Sequence, residues 1–587
     1  MNPVIKAQVT SYAKGASIDT HGLDDQFEIY SMFATMVGFL GESIDANDVH
    51  LTGSEFGIDG VAILIQGELV RNADDVEDKF SAIKNPSIEF KFFQSKTSAS
   101  YDYGSISKFF DAVEGFFNGE LRGESVELDE LISASEKIYE LGVGKRNPGI
   151  ECFYISTGNY DAPKRIETLR ASFTQTLKDQ NIFDSDSIRI RFVGARELQD
   201  WYRAATTAVE ASIQFPKAIV MPENEKVEEA YIGYISAAEL LNLCTIKNDD
   251  GDVAGINKSV FFDNIRDYDS KSKINRAIKE SIKQSDGGEF VFRNNGITVV
   301  SKSIDRTADR FDLEDFQIVN GCQTSNILYD VIYGDKENEF NSELLREKIF
   351  VPMRLIGSRD DDFISSIIVG TNRQNPVKEE QFWALRPFLK SLEEYAKSVE
   401  AEEVIYLERR ENQYRGQPVE RVRIIQPSAL MKALAAAVLY QPHRAARDYR
   451  GIVSEFEDKL FQDEHDVRIY HAVSYLHYRL EFLFRNQRID SSYKTFRYYI
   501  LCAAGMRASG SKNVFALKKG EIPNVANRLI QIGKSEDRFK EVVDEAVQLI
   551  ERRLSEYGAS TQEKVRDSIR SESFANDFKT KIASGTP

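Results

Sequence analysis

An acid opens one apolar segment of this chain, and a Gln-Ser-Lys closes another. The first is Gly57-Ile58-Asp59-Gly60-Val61-Ala62-Ile63-Leu64-Ile65; the second is Glu89-Phe90-Lys91-Phe92-Phe93-Gln94-Ser95-Lys96-Thr97. Both read as strands, with apolar residues alternating or running and β-branched and aromatic types prominent. A spacing of two places Gln94 and Lys96 on one strand face. If the two strands pair, Asp59, Gln94 and Lys96 meet at one end of a sheet. A carboxylate and an amide supply hard oxygens to a divalent cation. An ammonium beside them aligns an attacking water and steadies phosphate charge. These are the parts of a one-metal hydrolytic site.

The D…QxK arrangement resembles the PD-(D/E)xK nuclease superfamily in its Mrr-like branch, in which Gln replaces the second acid. That branch often adds a Glu from the helix before the strands. Asp24-Asp25-Gln26-Phe27-Glu28-Ile29-Tyr30 opens an amphipathic stretch running to about Leu40, and Glu28 fits the role. The resemblance covers roughly residues 20–200. It implies a catalytic set of Glu28, Asp59, Gln94 and Lys96, with Mg²⁺ (or Mn²⁺) held by Glu28, Asp59 and Gln94, and nucleic acid, DNA in the first instance, as substrate.

Composition bounds these readings. A chain of 587 residues suggests three or four domains, and 42% hydrophobic with 29% charged residues is the balance of a water-soluble globular protein. No apolar run approaches the ~18 residues that span a membrane, and MNPVIKAQVTSYAKG lacks the apolar core of a signal peptide. Cys152, Cys244, Cys322 and Cys502 are far apart, which argues against a zinc ribbon or a disulfide framework. A cytoplasmic protein with no membrane partner is the expectation. The net charge of −18 counts against a constitutively avid nucleic-acid binder. It leaves room for a local basic patch, or for a nuclease held back until triggered.

Along the chain, residues 24–40 read as a helix, and Ser105–Gly119 as another with Ser107 as its N-cap. Residues 120–143 are helical in pattern, Gly149–Thr157 is a buried-type strand, Lys164–Asp179 a helix, Ile188–Gly194 a strand and Glu197–Ala204 a helix. Alternation of this kind implies an α/β domain over 1–205. Residues 206–230, with Pro216 and Pro222, read as a connector. Residues 231–427 read as an α+β core. Residues 428–587 read as mainly α, with helices at Ala429–Tyr440, Asp466–Phe484 and Asp537–Tyr557 and a polar, poorly ordered tail after Ala559. His471 and His477 are six apart on different helix faces and read as packing residues.

The central region carries a series of motifs: Phe292-Arg293-Asn294-Asn295-Gly296-Ile297, then Gln317-Ile318-Val319-Asn320-Gly321-Cys322-Gln323-Thr324, then Gly370-Thr371-Asn372-Arg373-Gln374-Asn375-Pro376-Val377, then Tyr406-Leu407-Glu408-Arg409-Arg410. In this order they closely resemble the AIPR family, named for abortive-infection phage resistance. A weaker likeness joins the Gly321-Cys322-Gln323-Thr324 turn to the DGQHR segment of DndB- and ParB-like proteins. The His and Arg of that motif are absent here, which counts against nucleotide hydrolysis.

Asn-Gly and Asn-Asn-Gly are turn signals, because Asn and Gly tolerate positive φ. The same residues also suit a polar pocket. Asn294, Asn295, Asn320, Gln323, Thr324, Asn372 and Gln374 offer hydrogen bonds to a base edge, a ribose or a phosphate, and Arg266 and Arg293 could pair with phosphate. Gly251–Ser259 misses P-loop spacing. Cys322 has no histidine among these motifs and reads as a small core residue. The leading expectation is a metal-dependent nuclease of phage defence, homo-oligomeric, controlled by an AIPR sensor domain that receives a phage-derived trigger or a nucleotide. The alternative is a non-catalytic module that binds nucleic acid or phage protein through a degenerate nuclease fold, with nucleotide bound by a ParB-like AIPR core.

Overall fold

The two site-bearing strands pair, the condition on which their residues meet. The computed structural model describes residues 1–42, 44–53, 57–82, 85–142, 147–247, 253–257, 260–261, 278–280, 282, 288–333, 347–371, 386–409, 413–414, 417, 419–446, 449–456, 459–518, 520–559 and 561–584. Two sheets and a helical array follow one another along it.

The first unit begins with α1 (Pro3–Gly15), capped by Asn2, and α2 (Leu23–Phe33). The helix expected to continue to Leu40 widens instead into a π turn over Ala34–Phe39. That turn sets Gly38 against the Trp201 carbonyl, where a Cβ would stand 1.9 Å from the oxygen, so only glycine fits. Next come β1 (Gly60–Ile65), β2 (Glu68–Val70), α3 (Ala73–Ala82), β3 (Ile88–Lys96), α4 (Tyr103–Asn118), α5 (Val126–Leu141), β4 (Gly149–Ser156), α6 (Lys164–Asp179), β5 (Ile188–Val193) and α7 (Ala195–Thr206). The sheet order is β2-β1-β3-β4-β5. β1 is antiparallel to β2 and β3, while β4 runs parallel to β3 and to β5.

Every residue of β1 is buried, as a central strand covered on both faces demands. Val61, Ile63, Phe90, Phe92 and Tyr154 pack with α4, α5 and α6. Ala62, Leu64, Phe93 and Phe153 pack with α1, α2 and α7. The cap of α4 is Asp102, not Ser107: its carboxylate accepts the Ser105 N–H at 2.8 Å. The helix therefore starts earlier than the apolar period indicates. Its first turn is held by this cap and by the buried Ile106.

Residues 206–230 are not a bare connector. They hold β6 (Glu210–Gln214) and β7 (Ile219–Val220), both strands of the second sheet. That unit continues with β8 (Glu229–Ser236), α8 (Ala237–Cys244), the β9 (Thr245–Lys247) and β10 (Val253–Ile256) hairpin, α9 (Phe290–Arg293), β11 (Ile297–Thr307), β12 (Arg310–Asn320), α10 (Cys322–Tyr333), β13 (Phe350–Gly357), α11 (Asp361–Thr371) and α12 (Pro387–Ser398). Its sheet order is β6-β12-β11-β13-β8-β7. The prolines mislead because they flank β6 and β7 without interrupting a ladder. A short parallel pair, β14 (Tyr406–Leu407) and β15 (Ile424–Ile425), leads into the helical region.

That region comprises α13 (Pro427–Ala437), α14 (Pro442–Ala445), α15 (Tyr449–Phe456), α16 (Val467–Arg485), α17 (Arg497–Ser509), α18 (Ile522–Lys534), α19 (Glu536–Glu556), α20 (Gln562–Ile569) and α21 (Glu572–Ser584). The tail expected to be poorly ordered is these last two helices. Ile569, Phe574 and Phe578 are buried in the helical core, and three apolar anchors suffice to dock an otherwise polar segment. Among the described residues no helix is long and apolar enough to cross a membrane.

Candidate active site

The β1–β3 register pairs Gly60 with Phe93 and Val61 with Phe92. One step further along, Asp59 faces Gln94, and the two side chains touch. The Gln94 Nε2 donates to Asp59 Oδ2 at 2.6 Å, and the Ser95 backbone N–H donates to the same oxygen at 2.6 Å. Asp59 and Gln94 are each only 2% exposed, so the carboxylate is buried with its charge met by two N–H groups. Tyr154 is the neighbour of Gln94 on β4. Burial pushes its phenol up to about 12; a hydrogen bond from Ser105 opposes this, and the charges of Asp102 and Asp59 add to it. Lys96 ends β3, two residues beyond Gln94 and partly exposed.

Helix α2 delivers Glu28. Asp24, Glu28 and Ser31 fall at i, i+4 and i+7 on one helix face. The outer two meet the end of β3: the Thr97 hydroxyl donates to Asp24 at 3.0 Å, and the Ser31 and Ser95 hydroxyls lie 2.6 Å apart. Glu28 sits between them, and its carboxylate is 2.8 Å from His50 Nε2. His50 belongs to a segment that lies along the start of β1, bridging to Gly60, with the Leu51 N–H bonded to the Asp59 carbonyl at 2.9 Å. Donor atoms of Asp25, Glu28 and His50 all lie within 4.8 Å of one another. Sequence reading missed His50 altogether. A lone histidine at a separation of 22 from Glu28 carries no periodic or motif signal.

The Asp59 carboxylate and the Gln94 amide, in contact with each other, are hard-oxygen groups suited to a divalent cation, and the face of α2 that carries Glu28 meets the end of β3 through Asp24 and Ser31. As placed, the Gln94 amide turns its N–H toward Asp59. Ligation by its oxygen requires a half-turn of the amide, whose O and N ends are nearly isosteric.

The central motifs have other occupations. Asn294 accepts the Gly296 N–H at 2.8 Å and donates to the Thr324 hydroxyl at 3.0 Å. Gly296 and Gly321 have φ of 81° and 115°. Asn320 donates to the Thr371 carbonyl at 3.4 Å. Asn295 and Gln323 are exposed, and Arg293 pairs with Glu289 at 2.6 Å. Arg266, Asn372 and Gln374 lie outside the described residues. Arg409 of the Tyr-x-Glu-Arg block is a buried anchor. Its guanidinium bonds Glu393 at 2.6 Å and Asp362 at 3.0 Å, and Glu393 also takes Gln413 at 2.7 Å and Tyr414 at 3.0 Å. A cavity of about 400 Å³ beside this network carries more acids than bases, an unfavourable lining for a polyphosphate.

Residues 261–561, just over half of the chain, match the AIPR protein family. The chain belongs to that family, and membership is consistent with a role in anti-phage defence. No curated protein and no solved structure matches it.

Proposed function

We propose that this protein is a metal-dependent nuclease of anti-phage defence, with residues 1–205 cutting nucleic acid and the AIPR region controlling that step. The observation that carries the reading is the buried Asp59–Gln94 contact of 2.6 Å at the end of β3, with Lys96 two residues beyond it. Asp59, Gln94 and Glu28 would hold Mg²⁺ or Mn²⁺. The bound cation supplies a Lewis acid for the phosphoryl oxygen and lowers the pKa of a water. Lys96, at the partly exposed end of the strand, aligns that water and balances phosphate charge. Tyr154 keeps its proton and serves as a hydrogen-bonding wall beside the pair. DNA is the proposed substrate, and a phage-derived trigger or a nucleotide is the proposed signal to the AIPR region. The test is cleavage of duplex and single-stranded DNA and of RNA by the purified chain with Mg²⁺ or Mn²⁺, against EDTA. Metal-dependent cutting that Lys96→Ala abolishes is the expected result.

One observation favours a second reading. Asp59 and Glu28 are both satisfied by protein groups, the first by Gln94 and Ser95 and the second by His50. Such a site is stable without metal, as a binding module with a degenerate nuclease fold would be. Specific nucleic-acid binding without turnover, unchanged by EDTA, would establish that alternative.

A further inference from the structure

Two separate segments of the N-terminal unit converge on the C-terminal end of α16, within the AIPR-matched region. The first leads into α2. The Thr20 hydroxyl donates to Asn486 at 2.9 Å, the His21 ring bonds the Arg485 carbonyl, and Gln26 on the first turn of α2 donates to the His21 carbonyl at 2.8 Å. The second is the segment before β1. The Arg485 guanidinium pairs with Asp45, whose other oxygen caps the 3-10 turn Ala46–Asp48 by accepting the Asn47 N–H at 3.0 Å. Asp48 is gripped in turn by Arg71, which lies in the field of Glu481 on α16. The first segment carries Glu28 and the second carries His50, and the two meet at 2.8 Å. Among the described residues, the circuit from Arg485 through Asp45 to His50, across to Glu28 and back through α2 to Asn486 is closed by the last residue of α16 and its C-cap.

We propose that the end of α16, through Arg485 and Asn486, holds Glu28 on His50, so that the helical region of the AIPR part decides when Glu28 is released to ligate a metal. The proposal rests on the nuclease reading and adds its control: a signal that loosens α16 against the segment before β1 frees the third metal ligand. Arg485 acts through Asp45 and is a positioning residue. A ligand of the AIPR region shifts this equilibrium only by binding the loosened state better.

The test uses the full chain and two readouts: Mn²⁺ affinity by electron paramagnetic resonance, and amide hydrogen exchange over residues 44–51. Arg485→Ala is expected to tighten Mn²⁺ binding by about tenfold, as a rise of the released fraction from roughly a tenth towards one would give, and to speed exchange over that segment. Arg485→Lys, which keeps a cation beside Asp45 and leaves the Asp45 cap on Asn47 in place, is expected to fall between wild type and Arg485→Ala. Unchanged or weaker Mn²⁺ binding in Arg485→Ala overturns the proposal, as does exchange over residues 44–51 that does not speed up. A wild-type protein that binds no Mn²⁺ sinks the nuclease reading and the release of a metal ligand with it, while the exchange arm still reports whether α16 holds the segment. If Arg485→Ala fails to fold, Arg485→Lys carries the comparison.

Discussion

At the end of the first sheet Asp59 and Gln94 are buried against each other. At the ends of β11 and β12 in the second sheet, Asn294 closes its own turn and Asn320 reaches a helix carbonyl. In the sequence both pairs are polar residues flanking apolar strands. What separates them is what each polar group satisfies. Asn294 completes the hydrogen bonding of a turn whose glycine has positive φ, so its chemistry is used up by the fold. Asp59 is a buried charge, kept at the cost of desolvation and met by the Gln94 amide and the Ser95 backbone N–H. In the proposed nuclease reading the buried, compensated carboxylate next to a partly exposed lysine is the reactive feature, whereas the Asx turn is architecture.

The largest expected effect tests the first half of that contrast. Lys96→Ala is expected to abolish cleavage while thermal stability stays within about 0.5 kcal/mol of wild type, the range for a partly exposed side chain. Retained cleavage with lost stability would invert the contrast. Gln94→Leu is expected to lose metal binding and activity together, measured by calorimetry and by cutting, whereas Gln94→Glu keeps a coordinating oxygen and part of the activity. Equal cutting by the leucine variant would remove Gln94 from the ligand set.

Next comes the structural side. Arg409→Met leaves the Glu393 carboxylate short of its main buried partner, each group being 6% exposed, and is expected to cost about 3–5 kcal/mol in denaturant titration. The pH dependence follows. Burial resists ionisation of Glu393, but the hydrogen bond of Lys397 and the charge of Arg409 prevail and hold its carboxyl below the ordinary 4.5. A carboxyl with a depressed folded-state pKa contributes stability above its unfolded value and loses it as pH falls through the folded one. Wild type should therefore lose stability as pH drops below about 4.5, and this acid limb should be shallower in Arg409→Met. An unchanged limb would show that other carboxyls govern it.

A smaller loss, about 3 kcal/mol, is expected for Gly321→Ala, where φ is 115° and a Cβ would stand 2.3 Å from Ile297 Cγ2. The smallest stability effect belongs to Asn320→Ala. Its 3.4 Å bond to Thr371 is long and partly exposed, worth less than about 1 kcal/mol. If Asn320 also contacts a trigger, this variant loses phage protection in a challenge assay while its melting temperature and its Mn²⁺ binding stay near wild type. Full protection would leave Asn320 an architectural residue only.

That Asp59 would meet Gln94 if the two strands paired was legible in the chain itself. Apolar runs mark both strands, and once they pair antiparallel the opening of one lies beside the close of the other. Helices such as α6 and α16 were legible too, because a 3.6-residue period is a local property. Tertiary structure alone decided that β6 and β7 belong to the second sheet, since two short strands reveal their partners only when β12 and β8 arrive beside them. It decided that Phe574 and Phe578 dock the last helix on the core. It placed His50 on Glu28 and Arg485 on Asp45, contacts across sequence separations of 22 and 440. Local period and residue type fix which face of an element is apolar. Which charged residue meets which depends on the path of the whole chain, and no short window of sequence contains that path.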